Sequence, residues 1–104
     1  MSRAYQMHLT VTGFEKPKSK AIIRAAKKEW PFDNINELGD EPHIECCGDG
    51  YLGGGETEDE FAKRMAQAVF KANGKPCKVH VEATYLDDPP HEDYDFDEDN
   101  PPEA

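Results

Sequence analysis

Long hydrophobic runs are missing from this chain, so no segment has the length and apolarity of a membrane span. The opening MSRAYQMHLTV lacks the basic region, apolar core and small-residue cleavage site of a signal peptide. Cysteine is scarce. Cys46, Cys47 and Cys77 are odd in number and two are adjacent, so no disulfide framework is implied. The expectation from these absences is a cytoplasmic protein with reduced thiols and no membrane partner. Internal repeats are absent as well, and 104 residues suffice for one domain.

Positive charge is missing from one region only. Residues 87–104 hold nine acids and no Lys or Arg, which leaves 13 acids against 12 cations in residues 1–86. The net charge of −10 is therefore a property of the C-terminal segment, and the rest is close to neutral. That segment, DDPPHEDYDFDEDNPPEA, is rich in acids and proline, and its composition predicts an acidic disordered tail. The domain proper is expected over residues 1–86.

Within the domain, the clearest pattern spans Glu56–Leu86. Thr57 and Glu60 have the spacing of a capping box. Four of the five residues 56–60 are acidic, which suits the positive end of a helix dipole. Phe61, Met65, Ala68, Val69 and Ala72 then form an apolar stripe at helical period. Asn73-Gly74 and Pro76 stop the helix. Cys77, Val79, Val81, Ala83 and Tyr85 alternate with Lys78, His80, Glu82 and Thr84, the period of a strand with one buried face.

The N-terminal half repeats this grammar. Tyr5, Met7, Leu9 and Val11 alternate with Gln6, His8, Thr10 and Thr12, which reads as a first strand. Pro17 opens a helix, whose stripe is Ser19, Ile22, Ile23, Ala26 and Trp30, and Pro31 ends it. Residues 31–42 are turn-rich, with Phe32, Ile35 and Leu38 expected to reach the core through one short helical turn. His43–Cys47 reads as a second strand, Gly48-Asp49-Gly50 as a hairpin turn and Tyr51-Leu52 as a short returning strand. Gly53, Gly54 and Gly55 read as a flexible hinge.

The order is β-α-β-(β)-α-β. It predicts an α+β two-layer sandwich in ferredoxin-like order, with two helices on one face of a three- or four-stranded sheet. The strands alternate instead of being continuously apolar, so the second sheet face is expected to be open and polar.

Several chemical patterns compete with structural explanations. Gly48-Asp49-Gly50-Tyr51-Leu52-Gly53 spells G-x-G-x-x-G, but the following helix starts late and with acids, which repel phosphate. A glycine-rich hairpin explains it better. For zinc, Cys46 and Cys47 point to opposite faces, as do Cys77 and His80. The surviving candidate ligands are His8, His43, Cys47 and His80 on the open face, and they lack a spacing signature. Cys46 and Cys77 read as small buried hydrophobes. No nucleophile with its base is recognisable, so no catalytic residue and no cofactor are expected.

The first helix concentrates six of the twelve cations within residues 16–28. Lys20, Arg24, Lys27 and Lys28 are the candidate interaction surface. Nucleic acid is not the expected partner, because the open face has no aromatic ladder and the domain is not basic. The acidic segment offers itself as an intramolecular cover for this helix. It lacks the glycine and closing Glu of an EF-hand loop. The leading expectation is a non-catalytic protein-interaction or binding module, with a protein partner or self-association. The alternative is a small-ligand or metal-binding domain using the open sheet face, and an enzyme is the minor third.

Overall fold

The computed structural model describes residues 3–37, 41–53, 56–86 and 92–102. Leu38, Gly54, Gly55 and the start of the acidic segment lie outside the described residues. Strand β1 spans Arg3–Thr12, helix α1 Ser19–Glu29, β2 Asn34–Glu37, β3 His43–Leu52, helix α2 Glu58–Asn73, β4 Lys78–Tyr85 and β5 Glu92–Phe96. The protein is α+β: one antiparallel sheet in the order β2-β3-β1-β4-β5, with two helices. Among the described residues no helix is long and apolar enough to cross a membrane.

The alternation of β1 dictates its central place. Tyr5, Met7, Leu9 and Val11 are all buried, and they join one core with Ile44 and Cys46 of β3 and Val79, Val81 and Ala83 of β4. The same core holds Ile22 and Ala26 of α1 and Phe61, Met65 and Val69 of α2. One sheet face is thus covered by the helices, and the even-numbered residues of β1 lie on the other.

Both helix boundaries follow their local chemistry. A 3-10 turn at Lys16–Lys18, with Pro17 inside it, leads into α1, and Trp30 before Pro31 leaves the helix for extended geometry. Thr57 and Glu60 form the reciprocal capping box, at 3.0 and 3.2 Å. Gly74 closes α2 at φ 83°, the left-handed conformation that glycine adopts without strain. Asn73, buried at that end, accepts from the Glu15 N–H and donates to the Lys75 carbonyl, each at 3.0 Å. It ties the end of α2 to the approach to α1.

Three expectations are corrected. First, no hairpin turn occurs at Gly48-Asp49-Gly50. β3 continues through them, with Met7 opposite Gly48 and Tyr5 opposite Gly50. The glycines are there for clearance: a Cβ at Gly48 would lie 2.7 Å from the Pro31 carbonyl oxygen, and one at Gly50 2.9 Å from the Trp30 ring. Trp30 lies across this gap, donates from Nε1 to the Gly48 carbonyl at 3.0 Å and meets Phe61 edge to face at 5.1 Å. The separate returning strand at 51–52 is therefore the end of β3.

Second, residues 34–37 form a strand paired to β3, not a helical turn; Ile35 still packs on the core and Phe32 is buried. Third, regular structure extends beyond residue 86. Glu92–Phe96 pairs with β4 as a fifth strand, so the expected count of three or four is too low and the disorder expected for this segment does not describe residues 92–102. Phe96 is buried, Tyr94 packs against the core, and an Asp97–Asn100 turn follows. The Pro102 carbonyl accepts from Gln67 of α2 at 3.1 Å. These residues pair with β4 and reach α2 through the Gln67–Pro102 contact.

Candidate functional site

Two polar surfaces emerge from this fold. The first is the open face of the sheet. Strand alternation and antiparallel register bring His8 of β1, His43, Glu45 and Cys47 of β3, His80 and Glu82 of β4, and Asp93 and Asp95 of β5 onto it. Across the strands, Cys47 stands opposite His8, Glu82 opposite both His8 and Asp93, and Asp95 opposite His80.

The histidines alternate with carboxylates in a continuous array. Glu45 stands between His43 Nε2, 3.2 Å away, and His8 Nε2, 3.4 Å away. Glu82 stands between His8 Nδ1 at 3.5 Å and His80 Nε2 at 3.3 Å. His80 Nδ1 meets Asp95 Oδ1 at 2.6 Å, and its Nε2 lies 3.8 Å from Asp93 Oδ1. Partial burial works against a charged His80 imidazole. The hydrogen bonds and charges of Asp95 and then Glu82 outweigh it, and its pKa lies above the ordinary histidine value. Partial burial likewise works against ionised Glu82, but hydrogen bonds from His80 and His8 prevail and lower its pKa.

The four residues singled out as metal ligands from sequence share this face without converging. Of His8, His43, Cys47 and His80, only His80 belongs to a described group whose ligand atoms lie within 4.8 Å of one another, and its companions there are Glu82 and Asp93. Glu82 carried a visible signal, being two residues from His80 on one strand. Asp93 carried none, because acidic, proline-rich composition masks the strand that holds it.

Cys47 is not set up as a nucleophile. Burial, then the charges of Asp49 and Asp33, raise its pKa, which keeps the thiol protonated near neutrality. Cys46 and Cys77 lie in the core, where burial pushes both thiols up to about 11.

The second surface is a furrow between the exposed sides of α1 and α2. Ala21, Ala25, Ala68 and Ala72 line it together with Arg24, Lys28, Lys71 and Glu29. Helical periodicity sets Lys20, Arg24, Lys27 and Lys28 on one side of α1, away from buried Ile22 and Ala26. Other cations are paired: Lys63 with Asp59, Arg64 with Glu29 and Glu56, and Lys75 with Glu15. Among the described residues, Lys20, Arg24, Lys27, Lys28 and Lys71 make no ion pair within 4.0 Å.

The chain matches no family model, no curated protein and no solved structure.

Proposed function

We propose that this is a non-catalytic protein-interaction module whose contact surface is the α1–α2 furrow, and that its partner presents an acidic segment. The carrying observation is that Lys20, Arg24, Lys27 and Lys28 make no ion pair among the described residues and lie beside a strip of alanines. Small side chains let another backbone approach closely, while the flanking cations select for negative charge. The scaffold beneath is read as a two-layer sandwich of ferredoxin-like order extended by β5. The strand order and the placement of one helix after β1 and one after β3 support that reading. Such a scaffold carries many unrelated functions, so the surface alone bears the functional argument.

The test is fluorescence anisotropy with a labelled, glutamate-rich peptide. Binding should weaken as salt rises and disappear when Lys20, Arg24, Lys27 and Lys28 are all changed to Glu, with the circular dichroism spectrum unchanged. The reading fails if the peptide binds the charge-reversed variant equally well, or if a single-stranded oligonucleotide binds the wild type more tightly than the peptide.

A further inference from the structure

The sheet face away from the furrow carries an inference independent of it. We infer that His80 and Glu82 of β4 and Asp93 of β5 form a binding site for a divalent transition-metal ion of the zinc type, with Asp95 as the carboxylate that orients the imidazole.

The register makes the cluster. His80 and Glu82 are two apart on β4 and share a face; Asp95 and Asp93 stand directly opposite them on β5. The four side chains therefore occupy the corners of one square of the sheet. Glu82 against Asp93 is a like-charge cross-strand pair, an arrangement that destabilises a sheet. Asp95 adds a third carboxylate at the same place. A divalent cation between Glu82 and Asp93 bridges the two carboxylates across the β4–β5 pair.

Distances suit such an ion. A tetrahedral centre with ligand bonds of about 2.0–2.1 Å holds its ligand atoms roughly 3.3–3.4 Å apart. His80 Nε2 and Glu82 Oε1 are 3.3 Å apart. Asp93 Oδ1, at 3.8 Å from Nε2, closes the set with a small side-chain rotation, and Asp93 is about half exposed. His80 Nδ1 meets Asp95 at 2.6 Å, a hydrogen bond that fixes the imidazole so that Nε2 faces a metal. Three protein ligands leave at least one position for water or for a donor from a partner.

The donor set also selects the ion. Calcium and magnesium prefer all-oxygen shells, whereas an imidazole nitrogen with two carboxylates suits zinc and its first-row neighbours. Cys47 lies on the far side of His8, outside the group, and contributes no ligand.

The experiment is isothermal titration of the full chain with zinc near neutral pH under reducing conditions, alongside nuclear magnetic resonance of the imidazoles. One ion per chain is expected, with shifts of the His80 ring and of the amides of residues 93–95 exceeding those of His43. Asp95→Asn should weaken binding by about 10-fold or more through lost orientation, His80→Ala should weaken it further, and Cys47→Ser should leave it unchanged. The assignment is overturned if the wild type takes up no zinc, if His80→Ala binds as well as wild type, if Cys47→Ser abolishes binding, or if calcium and magnesium bind as tightly as zinc. Asp95 is exposed and His80 and Cys47 are half-buried on the open face, and unchanged circular dichroism of each variant shows that a loss of binding is not a loss of fold.

Discussion

Cys46 and Cys77 hold their protons in the folded state until the pH approaches about 11, against an ordinary thiol value of 9.0, because burial penalises the thiolate. Unfolding releases them to ionise near the ordinary value. Between these two limits the folded state binds more protons, so stability falls as the pH rises from about 9.0 towards 11. Chemical denaturation across that interval should show the fall, and Cys46→Ala with Cys77→Ala should flatten it; an equally steep profile in the double variant would assign the effect to other groups. Gly48 supplies a second residue-scale prediction. Its missing Cβ admits the Pro31 carbonyl, so Gly48→Ala should cost about 1–3 kcal/mol by urea denaturation. Gly53 has nothing within 4 Å of an added Cβ, and Gly53→Ala should stay within about 0.5 kcal/mol of wild type. The two glycines look alike in the G-x-G-x-x-G string. Only the approach of residues 31–33 from a sequence-distant segment separates them.

Among the elements, α2 and β5 were legible to different degrees. The capping box, apolar stripe and stop of α2 are short-range features, each realised within a few residues. Thr57→Ala should cost about 1 kcal/mol, seen as a lower thermal midpoint, since it removes the acceptor for the Glu60 N–H. β5 also has a local signal, the alternation of Asp93, Asp95 and Asp97 with Tyr94 and Phe96. Acidic, proline-rich composition masked it, because an edge strand becomes stable only when β4 supplies hydrogen bonds and the core supplies cover for Phe96. Phe96→Ala is expected to cost about 3 kcal/mol in the full chain. A chain ending at Leu86 should unfold at lower urea than the full chain; identical midpoints would show that β5 adds nothing to stability. Residues 34–37 follow the same rule, since β2 exists by pairing with β3 rather than by propensity.

At the scale of the molecule, the Cα radius of gyration is 12.9 Å, close to the ~13 Å expected of a compact chain of this length. One cluster joins buried residues from β1, β3, β4, β5 and both helices, with Ile35 of β2 packed against it, which predicts cooperative unfolding. Trp30, the single tryptophan, lies in that cluster against Phe61. Its fluorescence and the far-ultraviolet circular dichroism should therefore share one urea midpoint; separated transitions would mean that the helices and the sheet unfold independently.

Short-range patterns in the chain account for both helices, the capping box and glycine stop of α2, the alternation of β1 and β4, the burial of Cys46 and Cys77, and the uneven charge. Each of these is written within about one helical turn or strand period, where sterics and solvation act on neighbours in the chain. The five-strand count, the glycine clearance under Trp30, and the meeting of His80 and Glu82 with Asp93 and Asp95 arise only on folding. Those depend on strand register between distant segments, and a register is chosen by packing the whole core at once, not by any stretch of chain that carries the residues.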